Sequence, residues 1–267
     1  MERQIPSKKT LGQHWLDDEV VLSKMCDAAD VRPGDMVLEI GPGPGSLTAQ
    51  LIKRGAKVVA VEKDDRLIQG LRQRFEGQPL SVHAGDILEY DLTGLPADYK
   101  VVANIPYYLT SNLLTYLCSS PNPFDRAAIL MQREVAERAA AKPGNMSLLS
   151  LNIQMVAEIS LGDIVEAALF SPPPKVDSRI LILKRRRPLP SYALEKGLRR
   201  LMSIAFSQKR KTLANSLSRG LRIPRTDVEE ILNSVGISPL TRPQALALEQ
   251  WQLLYENFAP LLRPDNT

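Results

Sequence analysis

The chain has little of what would staple it, load it with metal or hold it in a membrane. Only two of its 267 residues are cysteine, Cys26 and Cys118. They show neither metal nor redox spacing, so buried thiols in a reducing compartment are expected. Histidine is equally scarce. His14 and His83 are the whole complement, and neither has an acid or thiol at ligand spacing, so no metal is expected. No run of about 18 apolar residues is present, which argues against a transmembrane helix. Met1–Pro6 lacks the apolar core of a signal peptide, and the expected location is cytoplasmic.

What is present is a chain long enough for one large domain and a smaller one. The formal net charge of +4 conceals an asymmetry. From Lys184 to Arg225 there are thirteen Lys/Arg and one acid, Glu195, a local balance of +12 that leaves −8 for the remainder. A block of that kind suits a phosphate backbone; the alternative is a solvated helix face.

The N-terminal stretch carries a basic arm, Arg3, Lys8 and Lys9, before a helical pattern at Asp17–Ala29 with Asp17 or Asp18 as cap. Short apolar strands are predicted at Met36–Ile40, Val58–Glu62, Leu80–His83, Lys100–Ala103 and Ala127–Met131. Helices alternate with them at Ser46–Arg54, Asp65–Phe75, Ser111–Ser119 and Gln132–Ala141. That alternation implies right-handed crossovers and a parallel sheet covered on both faces. A helix at Ser147–Met155 and strands near Glu158–Val165 and Arg179–Lys184 follow, with the stiff loop Ser171–Lys175 between those strands. After a linker at Arg185–Pro190 the pattern is helical only, at Leu194–Phe206, Lys209–Ser218, Arg225–Val235 and Pro243–Phe258. The predicted division is a domain over 1–189 and a small helical one over 190–267.

Two motifs carry chemistry. Glu39–Gly45 reads E-x-G-x-G-x-G at the end of a strand, so backbone at Gly41 and Gly43 can pass close to a ligand. The spacing departs from G-x-G-x-x-G, and Pro42 and Pro44 stiffen the loop, which favours S-adenosylmethionine over a dinucleotide. Glu62, closing the next strand, can accept from two ribose hydroxyls, and Asp86 after the third can accept from an adenine amine. Asn104-Ile105-Pro106-Tyr107-Tyr108 is the second motif. The Asn104 oxygen and the Ile105 carbonyl can hold both hydrogens of an exocyclic amine and aim its lone pair. Pro106 fixes the turn, Tyr107 offers a stacking face, and Phe170 is a candidate for the other side of the base. Together these motifs point to methylation of an amine on a nucleic-acid base.

The chain resembles the ribosomal RNA small-subunit adenine dimethyltransferases nearly end to end. The likeness runs through Leu11–Leu16, Glu39–Gly45, Asn104–Tyr107, Gln132–Val135, Phe170–Ser178 and Ala205–Leu213. The family often has Asn-Phe where this chain has His14-Trp15. The resemblance implies a seven-stranded, Rossmann-like class I methyltransferase sheet with a C-terminal helical domain. It also implies dimethylation of two adjacent adenosines in a hairpin near the 3′ end of small-subunit rRNA, linked to assembly of the pre-ribosomal small subunit. It carries cofactor contacts onto His14, Leu16, Gly41, Glu62, Asp86 and Asn104, alongside the catalytic Asn104, Ile105, Pro106, Tyr107 and Phe170. RNA contacts are expected at Lys209, Arg210 and Lys211, and the protein is expected to be a monomer. Three alternatives stand beside this reading. They are a large-subunit rRNA methylase conferring macrolide resistance, a non-catalytic assembly or transcription factor on the same scaffold, and a nicotinamide dehydrogenase. The Phe206–Leu213 match, intact Glu62 and Asn104, and the glycine spacing respectively argue against them.

Overall fold

The computed structural model describes residues 12–208 and 210–262; the basic arm, Lys209 and the last five residues lie outside them. The chain divides into two compact units, one of Met1–Glu137 with Ala157–Arg185, the other of Arg138–Val156 with Arg186–Thr267.

The first unit opens with β1 (Trp15–Leu16) and α1 (Glu19–Ala28). Asp18 caps α1 by accepting a hydrogen bond from the Val21 N–H at 2.9 Å, which starts the helix two residues later than the apolar pattern suggested. Next come β2 (Met36–Ile40), α2 (Ser46–Lys53), β3 (Lys57–Glu62), α3 (Asp65–Arg74) and β4 (Leu80–Ala84). The chain then crosses to β5 (Lys100–Asn104), α4 (Thr110–Ser119), β6 (Arg126–Gln132) and α5 (Arg133–Ala139). Strands β2, β5 and β6 are apolar and buried along nearly their whole length because helices cover both faces.

After α6 (Leu148–Gln154), the strands β7 (Ala157–Val165), β8 (Phe170–Ser171) and β9 (Ser178–Arg185) complete the unit. The main sheet has seven strands in the order β4-β3-β2-β5-β6-β9-β7. Neighbours from β4 to β6 are parallel, and β9 runs antiparallel to both β6 and β7. The seven-stranded Rossmann-like sheet is as expected. One feature has no counterpart in the sequence pattern: β1 pairs antiparallel with β8, Trp15 opposite Ser171 and Leu16 opposite Phe170. The order of strands reverses between β2 and β5, and a cleft opens there at the carboxyl ends of the strands.

The second unit contains α6, α7 (Tyr192–Phe206), α8 (Leu213–Leu221), α9 (Arg225–Ser234) and α10 (Leu248–Phe258). Its boundary falls four residues before the one at 189/190 read from sequence, and it recruits 138–156 from the middle of the chain. The physical reason is local bonding: the Gly144 and Met146 N–H groups both donate to the Gln244 carbonyl. Ser147 and Ser150 cap α6 reciprocally. Two predicted helices are shorter than expected. The segment before Leu213 is a turn, leaving Arg210 and Lys211 exposed ahead of α8, and Leu246–Ala247 separates a 3-10 turn at Pro243–Ala245 from α10. No helix among the described residues is long and apolar enough to cross a membrane.

Candidate active site

The glycine loop leaves β2 with three consecutive alternating glycines in the left-handed region, at φ +64°, +58° and +92° for Gly41, Gly43 and Gly45. They answer to different demands. A Cβ on Gly43 would lie 2.6 Å from the Trp15 ring, so that glycine exists to let β1 pack against the loop. A Cβ on Gly41 would meet no protein atom within 4 Å, and Gly41 lines the cleft. Of the two predicted close approaches to a ligand, only Gly41 has the open side that one requires.

Beneath the loop sit two buried carboxylates. Glu62, at the end of β3, is 5% exposed. One of its oxygens accepts the Gly43 N–H at 3.1 Å and the other the Asp64 N–H at 2.8 Å. Burial pushes its pKa up against the pull of those backbone bonds. Glu39, the first residue of the motif, near the end of β2, has no exposed surface. Its Oε2 accepts from the Thr48 hydroxyl at 2.7 Å, whereas Oε1 is buried with no partner. Loss of hydration raises its pKa to about 8. Buried in this way, Glu39 is a neutral acid at neutral pH, and the oxygen without a partner can carry its proton.

Asp86, after β4, accepts from the Leu88 N–H at 3.0 Å and from Lys63 at 2.7 Å. The Lys63 ammonium holds its pKa below the usual range. At the end of β5 the Asn104 amide nitrogen donates to the His14 carbonyl at 3.2 Å, which leaves Oδ1 as an acceptor aimed elsewhere. The Ile105 carbonyl accepts no hydrogen bond among the described residues. Pro106, at φ −57°, leads into a 3-10 turn that begins at Tyr107. The Tyr107 hydroxyl is 2.9 Å from the Ser178 hydroxyl, and its ring stacks offset on His14 at 5.7 Å and 28°. Phe170 is 4% exposed and packed in the core with Leu16 and Leu22, so it forms a fixed wall rather than a free aromatic flap.

All ten predicted cofactor and catalytic residues, His14, Leu16, Gly41, Glu62, Asp86, Asn104, Ile105, Pro106, Tyr107 and Phe170, line this one cleft of about 1000 Å³, part of it open to solvent. Among the further residues that line it and that sequence reasoning missed are Glu39, Tyr108 and Gln13. Glu39 was visible as the first letter of its motif. Tyr108, 58% exposed on the rim, was visible as the neighbour of Tyr107. Gln13, whose amide donates to Asp64 at 2.9 Å, gave no signal of its own. The basic block is less uniform than its count suggests, because Arg185 pairs with Asp98, Arg199 with Glu195, and Arg200 donates to the Leu262 carbonyl. Arg210 and Lys211 are exposed in the second unit, and Lys209 lies outside the described residues.

The charge of the cleft decides its ligand class. Three carboxyl groups line it, Glu39, Glu62 and Asp86, against one cation, Lys63. That is a poor host for pyrophosphate and a good one for the hydroxyls and amines of a nucleoside. On this sheet order, such a cleft makes the protein a Rossmann-like methyltransferase of the S-adenosylmethionine-dependent class. Comparison with known proteins narrows the class. The sequence matches the ribosomal RNA adenine dimethylase family over residues 6–259, and the chain belongs to that family. It is 38% identical over 261 residues to a ribosomal RNA small subunit methyltransferase A of Dehalococcoides mccartyi, covering 96% of this chain and 89% of the relative. The protein of the same name from Thermosynechococcus vestitus is 41% identical over 259 residues, covering 94% and 97%. Among solved structures, a dimethyladenosine transferase from Plasmodium falciparum superposes with a TM-score of 0.81 at 29% identity, over 93% of this chain and 98% of that one. The 23S rRNA methyltransferase ErmE superposes with a TM-score of 0.74 at 30% identity, over 92% and 99%.

Two outcomes follow from this geometry. Gly41→Ala places a methyl in ligand space, so S-adenosylmethionine affinity should fall about tenfold or more, while its positive φ costs about 1–2 kcal/mol of stability. Gly43→Ala carries the same strain and should cost a further ~1–3 kcal/mol of stability by displacing Trp15. Calorimetry showing wild-type affinity in Gly41→Ala would place the cofactor away from that face. The second concerns Glu39. The native state holds its proton up to about pH 8, whereas an ordinary carboxyl loses it near 4.5. Native stability therefore drains away as pH rises through that window. Glu39→Gln cannot ionise, so its denaturation midpoint without cofactor should gain on wild type from about pH 4.5 to 8 and then level off. A difference that stays constant across the window contradicts a titrating Glu39.

Proposed function

We propose that this protein dimethylates two adjacent adenosines in a hairpin near the 3′ end of small-subunit rRNA. It works as a cytoplasmic monomer on the pre-ribosomal small subunit. The observation that carries this reading is the Asn104 amide. Its N–H is committed to the His14 carbonyl at 3.2 Å, so Oδ1 and the Ile105 carbonyl form a preorganised acceptor pair for the two hydrogens of an adenine amine. That amine is a weak nucleophile because its lone pair is delocalised into the ring. Accepting both hydrogens localises the pair and aims it.

S-adenosylmethionine, when bound, supplies an electrophilic methyl on a sulfonium sulfur. Glu62 and Asp86 offer acceptors for ribose hydroxyls and an adenine amine, and Gly41 lets the backbone approach. The main chain of His14 and the side chain of Leu16 close the near side. Tyr107 and Phe170 form the walls between which an extruded base stacks, with extrusion itself costing a few kcal/mol. Arg210, Lys211 and Lys209 belong to the helical domain and hold RNA phosphates.

The name shared by relatives at 38–41% identity supports the small subunit as target. The superposition on a 23S rRNA methyltransferase keeps the large subunit as the second reading. One experiment tests both the target and the acceptor pair. Undermethylated small and large ribosomal subunits are offered to wild type and to Asn104→Ala at saturating S-adenosylmethionine, and dimethylated adenosines are mapped after a single turnover. Wild type should modify adjacent adenosines near the 3′ end of small-subunit rRNA only. Asn104→Ala should bind the subunit but transfer about 10²–10³ times more slowly. Modification of large subunits overturns the target, and a wild-type rate in Asn104→Ala overturns the amine alignment.

A further inference from the structure

We infer that the His14 side chain is a positioning residue for the target base, holding the two aromatic walls of the slot in register, and is not a cofactor ligand. This rests on the reading of Tyr107 and Phe170 given above. Strands β1 and β8 pair at only two positions, Trp15 with Ser171 and Leu16 with Phe170. Core packing holds the Phe170 ring, but a ladder that short does little to hold the segment that follows it. Its next pair would be His14 with Pro172, and proline has no N–H, so the ladder cannot continue.

The His14 ring substitutes for the missing rung. Its Nδ1 lies 2.7 Å from the Pro172 carbonyl oxygen. A carbonyl can only accept, so Nδ1 carries the proton and donates. The same ring stacks on Tyr107 at 5.7 Å and 28°, and the main-chain carbonyl of the same residue receives the Asn104 amide at 3.2 Å. One residue thus ties together the acceptor for the amine, one wall of the slot and the segment that carries the other wall. These parts lie 90 and 158 residues away along the chain. A flat base between two walls is sensitive to their spacing and tilt, and misplacement of reacting groups by about 1 Å costs on the order of 10²-fold in rate. A side chain that bridges both walls controls that geometry.

The test uses full-length enzyme, undermethylated small subunits and S-adenosylmethionine. Single-turnover transfer at saturating concentrations and cofactor affinity by calorimetry are measured for His14→Ala, for His14→Asn, which keeps a donor for Pro172, and for His14→Phe, which keeps a ring for Tyr107. His14→Ala should lower the transfer rate about tenfold while the S-adenosylmethionine dissociation constant changes less than about threefold. His14→Asn and His14→Phe should each recover part of the rate, which also guards against simple misfolding of the alanine variant. In a Tyr107→Ala background the same His14→Ala change should cost less than about threefold, because no wall remains to align. The inference is overturned if cofactor affinity falls in step with rate, if neither conservative variant recovers any rate, or if the loss is undiminished without Tyr107. Should wild type fail to modify the subunits at all, the proposed substrate falls, and this inference with it. A wild type that works alongside an unaffected His14→Ala removes the inference alone.

Discussion

The Glu62 carboxylate is the constraint around which the cleft is organised. It is buried at the end of β3 with no cation bonded to it, so its lost hydration must be answered by backbone N–H groups. Two do so, from Gly43 and Asp64. The first fixes the glycine loop above β2, and the second fixes the turn into α3. Each bond uses one lone pair of its oxygen and leaves another for a ligand. A single buried carboxyl group thereby sets the loop and presents acceptors in the same place. Glu39, one strand over, extends the pattern with an oxygen that no described residue satisfies.

The segment before α1 supplies the second constraint. Gln13 reaches Asp64, the His14 carbonyl holds Asn104, the His14 ring reaches Pro172, and Trp15 lies against Gly43. Four separate segments around the cleft are therefore joined by three consecutive residues far from them in the chain. Function depends on this lacing because the chemistry needs no covalent or metal-bound intermediate on the protein. It needs an amine and a methyl donor held at fixed angles, which is a matter of rigidity.

The parallel sheet was legible in the sequence because strands covered on both faces are mostly apolar, as β2, β5 and β6 are. The ten cleft residues were legible because they cluster at strand ends, where a doubly wound sheet puts its ligands. What escaped was tertiary. A two-residue strand such as β1 has no periodicity to detect. The reason for Gly43 is an indole 28 positions earlier. The helical start at Leu213 was hidden by the polar run before it, which fits a helix face and a turn equally well. The division of the chain was obscured because 138–156 bonds to Gln244, a contact that no local pattern announces.

Glu62 is proposed to organise the cofactor site and not the RNA-binding surface or the fold at large. Calorimetry on Glu62→Ala tests this most directly. Loss of charged hydrogen bonds should weaken S-adenosylmethionine binding by about 1.5–3 kcal/mol, roughly ten- to a hundredfold, with RNA affinity retained. Unchanged cofactor affinity, or an equal loss of RNA binding, would contradict it.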